Sequence, residues 1–236
     1  MKPNSGKNLI NNINILPFIR DIIFGVEDGM ISTLGALTGI AIGTQNQFVI
    51  LLSGIVIVAV ESLSMGVGSY ISLKSVKEVN ERQLKEEKEE FSELPEEEKQ
   101  QLVEMYMRDG WSEDLASKMA KQASENKSLF LQEMACRELR IHPDNLVKPL
   151  ENGIFMFFSY VVGGIIPLAA YFFLQVSSAV VWSVLITLLG LFILGSLTTK
   201  FTKRNWVKAG MEMLILAGIT AVVGYVIGYV ADIFTK

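Results

Sequence analysis

Residues 54–73 read GIVIVAVESLSMGVGSYISL, and residues 74–91 continue as KSVKEVNERQLKEEKEEF. The first half is apolar enough for lipid, and the second is too charged for it. From Ile71 to Phe91 there is no Gly or Pro, so nothing in the sequence stops a helix at the change. One helix is therefore expected to leave a membrane and continue into water. Glu61 and Met65 stand four residues apart in the apolar half and share a helix face. Glu86, Glu87, Glu89 and Glu90 stand in the wet half.

Around this stretch the chain is built of long apolar blocks. Half of its 236 residues are hydrophobic, and the mean hydropathy is +0.37. A spanning helix needs about 20 mostly apolar residues. Five windows qualify, at about 18–43, 48–73, 153–174, 179–197 and 211–233. Helices are expected, because lipid offers no partner to unpaired backbone groups and no barrel-like alternation is present. The fold class is thus an all-α polytopic membrane protein with five transmembrane helices and a helical insert between the second and third. The domains read as 1–73, 74–148 and 149–236.

Charge fixes the expected orientation. Residues 44–47 and 175–178 carry no charge, whereas the N-terminal arm has Lys2, Lys7 and Arg20, and residues 200–208 have Lys200, Lys203, Arg204 and Lys208. With the basic insert, the positive-inside rule places the N-terminus, insert and fourth connection in the cytosol and the C-terminus outside. A cell membrane is expected, an organelle membrane being the alternative. Residues 1–17 lack the order of a signal peptide. The single cysteine, Cys136, excludes an internal disulfide. The one basic cluster, at residues 200–208, is short, which argues against nucleic acid.

The insert reads as about three short helices. Pro95 followed by Glu96, Glu97 and Glu98 starts one, and Asp109-Gly110 stops it. Ser112 starts the next, with Leu115, Met119, Ala120 and Ala123 as its apolar positions. A third is expected from Leu129 to Ile141, closed by Pro143. Rows such as Gly35/Gly39/Gly43 and Gly224/Gly228 allow close helix approach, within one chain or between two.

The chemistry lies with the acids. Asp28 is about ten residues, or roughly 15 Å, into the first span, and Glu61 is mid-span in the second. A carboxylate at mid-bilayer costs roughly 2.5–3.5 kcal/mol, and no Lys or Arg stands at matching depth. Protonation, cavity water or a bound cation must offset that cost, the structural alternative being two protonated acids at a helix contact. A thioether beside a carboxylate suits a borderline-soft divalent ion such as Fe²⁺. Glu27 adjoins Asp28 but is turned about 100° around the helix. In the insert, Glu87 and Glu90 share a face, as do Glu86 and Glu90; Met134 and Glu138 are one turn apart, with Glu133 and Cys136 nearby. For any single one of these glutamates the alternative is a solvated, ion-paired surface. His142 reads as structural. There is no Ser/His or Cys/His pairing and no phosphate-cradling glycine loop, so an enzyme is not expected.

FGVEDGMISTLGALTGIA (residues 24–41), SLSMGVGSYISLKS (62–75) and FFSYVVGGIIPLAAYFF (157–173) resemble the vacuolar iron transporter family. The resemblance runs from about Arg20 to the end. It implies a homodimeric exchanger that moves Fe²⁺, and often Mn²⁺, out of the cytosol against protons, with its pathway at the subunit interface. Zn²⁺ is a further ion to consider, and no cofactor is implied. Position by position, the pore aspartate falls on Asp28 and the pore methionine on Met65. Insert metal ligands fall on Glu87, Glu90, Glu98, Met134 and Glu138. The family's pore glutamate falls on Ile57, one turn from Glu61, which would substitute for it. One insert glutamate position falls on Gln101 and a second methionine position on Ala135, which implies fewer or weaker insert metals. Two other readings remain open from the residues: a membrane-anchored metal buffer or sensor, and a helical scaffold that binds a partner protein.

Overall fold

The computed structural model describes residues 18–141 and 148–235, and of Phe201 and Thr235 only the backbone. His142 and Pro143 lie outside the described residues. The described residues form eight helices and no strand. These are α1 (Ile19–Thr44), α2 (Gln47–Glu93), α3 (Pro95–Arg108), α4 (Glu113–Ser124), α5 (Lys127–Arg137), α6 (Pro149–Phe173), α7 (Val176–Thr202) and α8 (Trp206–Thr235). Ile71–Lys148 form one compact unit, and the chain before and after it forms the other.

α2 is a single helix of 47 residues, so the expected continuity across residues 71–74 is present. Its polar half is supported by i, i+4 ion pairs: Lys74–Glu78, Lys77–Glu81, Arg82–Glu86 and Lys85–Glu89. Each pair is exposed and worth only about 0.3–0.5 kcal/mol, but four in series favour a helix that water would otherwise fray.

Four helices, α2, α6, α7 and α8, are long and apolar enough to cross a membrane. α1 is not among them, because Glu27, Asp28 and its many Gly and Thr residues lower its hydropathy. The physical reason is its place in the bundle. Its glycines abut α6 on one side and α8 on the other, so protein rather than lipid surrounds much of its surface. A Cβ on Gly29 would come within 2.4 Å of the Tyr160 carbonyl of α6, and one on Gly224 within 2.2 Å of the Gly35 carbonyl of α1. Backbone touches backbone at these crossings. The Gly rows of α1 and α8 are thus contacts within one chain. α2 reaches α6 where Gly66 meets Gly153 and Val58 meets Gly164. Ser183 of α7 donates to the Pro167 carbonyl of α6 at 2.8 Å, a bond with no water to compete in lipid.

In the second unit, Leu102, Val103 and Tyr106 of α3 pack with Ala116, Ala120 and Ala123 of α4 and with Phe130 and Met134 of α5. Phe91 of α2 stacks on Phe130 at 4.0 Å. Gly110 turns the chain after α3 with φ +99°, a conformation that suits glycine. Two expectations need correction. Leu115 is exposed, and Ala116 takes the core position, because the buried face of α4 runs through 116, 120 and 123. α5 spans Lys127–Arg137, not Leu129 to Ile141. Asn126 caps it early by accepting from Ser128 N and Leu129 N, and positive φ at Arg140 bars helix beyond it. Ser112 holds the N-cap position of α4 but makes no side-chain cap bond.

Candidate metal centre

In the insert, helix geometry separates two kinds of glutamate on α2. Glu78, Glu81, Glu86 and Glu89 are taken by Lys or Arg. Glu87 and Glu90 have no such partner among the described residues, and they face Glu98 in the first turn of α3. One oxygen from each of Glu87, Glu90 and Glu98 lies within 4.8 Å of the others. Glu87 and Glu98 are 3% and 4% exposed, whereas Glu90 is open to solvent. Glu87 Oε1 and Glu98 Oε2 are buried with no partner. Buried carboxylate oxygens without donors are costly unless a cation or water meets them.

The electrostatics agree. Burial pushes the Glu87 carboxyl up to about 8, helped by the charges of Glu138, Glu98 and Glu90. Glu98 is raised by burial and then by Glu138 and Glu90. Glu138 is raised by burial and by Glu90, with the Arg108 guanidinium pulling the other way. Glu138 therefore belongs to the same field, from the exposed C-cap of α5. An oxygen-only set of this kind suits hard or borderline divalent ions. Met134 lies fully buried in the apolar cluster of α3, α4 and α5, one turn before Glu138. Glu133 is engaged by the Tyr106 hydroxyl at 3.1 Å and by Arg137 at 3.0 Å. Cys136 is half-buried and free.

In the bundle, Asp28 is half-buried on α1, and Glu61 lies within its electrostatic reach. Glu61 is exposed on the single chain, and Met65, one turn on, is half-buried. Tyr160 of α6 is within reach of both acids. It is fully buried, and its hydroxyl lies 2.5 Å from Ser32 Oγ. Ser32 also donates to the Asp28 carbonyl at 2.6 Å. Glu27 is half-buried beside Asp28, and Ile57 is half-buried too. Nearer the start of α1, buried Asp21 accepts from Asn152 Nδ2 of α6.

A sequence profile of the VIT family matches residues 19–229. The chain belongs to the VIT family. A protein named vacuolar iron transporter 1 from Arabidopsis thaliana is 30% identical over 215 residues, covering 91% of this chain and 86% of the relative. One of the same name from Tulipa gesneriana is 29% identical over 208 residues, covering 88% and 84%. A vacuolar iron transporter from Plasmodium falciparum is 28% identical over 222 residues, covering 90% and 81%. With four apolar helices of spanning length, this VIT-family chain is a multi-pass membrane protein.

Three polar residues escaped the sequence reading. Tyr160 and Ser32 sit around Asp28, and Arg108 sits near Glu138. For Tyr160 a signal existed, since Ser159-Tyr160 is a polar pair inside an apolar run. Arg108 gave none, because its relation to Glu138 crosses 30 residues of chain.

Proposed function

We propose that this protein moves Fe²⁺, and also Mn²⁺, out of the cytosol in exchange for protons. The observation that carries the reading is the trio Glu87, Glu90 and Glu98, one oxygen of each within 4.8 Å of the others, with a buried, unpartnered oxygen on Glu87 and on Glu98. The insert carboxylates, with Glu138 at their edge, gather the ion from the cytosol; Met134 joins them only if α5 shifts. Asp28, Glu61 and Met65 then pass it through the spans. A carboxylate binds either a proton or a metal, so ions leaving and protons returning use the same groups in turn. Five spans, with α1 as the first, put the N-terminus, the 74–148 insert and residues 200–208 in the cytosol. The relatives' vacuolar names weigh toward an organelle membrane over the cell membrane.

A homodimer fits the exposure of Glu61. Facing lipid, that carboxylate costs roughly 2.5–3.5 kcal/mol; facing a second copy across a hydrated path, it does not. The test is metal uptake into proteoliposomes. Uptake should accelerate when a proton gradient opposes it, and Asp28→Ala should stop it. Asp28→Ala transport equal to wild type sinks the pathway. A second reading, a membrane-anchored metal buffer, is favoured by the trio lying wholly within the Ile71–Lys148 unit. It predicts metal binding without transport in the same vesicles.

A further inference from the structure

The ends of α7 and α8 hold a cavity that the metal chemistry does not use. It has a volume of about 430 Å³ and lies beside the turn that joins the two helices. One wall is apolar and open: Ile193 is 48% exposed, Leu197 46% and Trp206 57%. Phe192 meets the Trp206 ring edge-on at 6.2 Å and closes that side. Thr199 and Lys200 also line the cavity. Ser196 ties the two helices together by donating to the Trp206 carbonyl at 3.3 Å.

The charge around this cavity is unbalanced. Residues 200–208 carry Lys200, Lys203, Arg204 and Lys208. Glu212 pairs with Arg204 at 2.9 Å. Among the described residues no carboxylate pairs with Lys200, Lys203 or Lys208. The start of α8 is not itself the attraction, because Asn205 Oδ1 already accepts from Val207 N and Lys208 N.

A mostly apolar cavity with a lysine in its lining, placed where two spans end, matches a molecule with apolar chains and a charged head. Hydrocarbon gives way to headgroups at that depth, and Trp is the residue that favours this boundary. We propose that this cavity binds an anionic glycerophospholipid. Its phosphate lies against Lys200, with Lys203 and Lys208 of the same connection adding positive charge, and its acyl chains run along Ile193, Leu197 and Trp206. A zwitterionic lipid has the same chains but no net charge for the unpaired lysines, so the site selects for anionic headgroups.

Trp206 reports the test directly. The full-length protein carrying Trp111→Phe and Trp182→Phe keeps Trp206 as its one tryptophan. It is reconstituted in phosphatidylcholine vesicles with rising fractions of dibrominated phosphatidylglycerol, or of dibrominated phosphatidylcholine. The anionic lipid should quench Trp206 at a mole fraction on the order of tenfold lower. Lys200→Gln, Lys203→Gln and Lys208→Gln together should bring the two curves into register, and arginine at all three positions should restore the gap. If the triple glutamine variant does not fold, Lys200→Gln alone should narrow the gap. Equal quenching by both lipids in the parent protein overturns the proposal, as does a gap that the glutamine variants leave unchanged. Loss of the gap in excess inorganic phosphate also overturns it, by giving the site to a soluble anion.

Discussion

Glu87 sits where its surroundings favour the protonated carboxyl. Its carboxyl is raised from the ordinary 4.5 to about 8, by burial first and by three neighbouring acids after it. In the unfolded chain the same group ionises near 4.5. Between these values the folded state binds more protons, so stability contributed here falls as pH rises through that window. A divalent ion in place of the proton reverses the trend. Two outcomes follow for the full-length protein in detergent. Metal binding at pH 7 should release protons, seen as a dependence of calorimetric heat on the buffer's ionisation enthalpy, and affinity should weaken from pH 8 to pH 6. Glu87→Gln should cost at least about tenfold in affinity, or roughly 1.4 kcal/mol, while flattening the fall in melting temperature between pH 6 and pH 8. A variant that binds like wild type would remove Glu87 from the ligand set. Tyr160 invites a second substitution. Tyr160→Phe deletes the hydroxyl that meets Ser32, at about 1 kcal/mol of stability. Transport should fall further than that loss explains, because Asp28 and Glu61 then lose their buried polar neighbour.

Among the elements, α1 is the one whose neighbours are fixed most tightly. Its carbonyls at Gly35 and Gly39 lie where a Cβ on Gly224 or Gly228 would come within 2.2 Å. Neither obstacle is a flexible side chain, so the helices must part to admit a methyl group. Gly224→Ala or Gly228→Ala should destabilise the bundle by about 1–3 kcal/mol, read as a lower melting temperature in detergent. Gly218, on the same helix, has nothing within 4 Å of its would-be Cβ. Gly218→Ala should be neutral or slightly stabilising, by up to about 1 kcal/mol. Equal effects at 218 and 228 would mean that helix propensity, not the α1–α8 contact, governs the result.

At the scale of the whole molecule, the exposed apolar side chains of α2, α7 and α8 have a solvent in lipid. Glu61 does not. Its exposure on a single chain is the feature that the proposed second copy would cover. Native mass measurement from mild detergent should find two copies. With Cys136→Ser and a cysteine at exposed Ser64, a short bifunctional maleimide should join them. A monomer at all concentrations, unlinked by the reagent, would leave Glu61 to lipid and remove the proposed interface.

What the amino-acid sequence decided by itself was local. Four of the five apolar blocks of spanning length, Pro95 at a helix start, Gly110 at a turn and the unbroken run through residues 71–74 each act within a turn or two of chain, and each reappears as expected. α1 as a helix was legible in the same way, though its hydropathy falls short of the other four. The tertiary structure decided what joins distant residues. It set Tyr160 beside Asp28, 132 positions away in sequence, and seated the α1 glycines against α6 and α8. It left Glu87 and Glu98 with unpartnered oxygens while the ion-paired glutamates of α2 faced water. Nor could spacing alone place Leu115 outside the core or end α5 at Arg137. Burial and desolvation depend on which surfaces meet, and helical period names a face without naming what it meets.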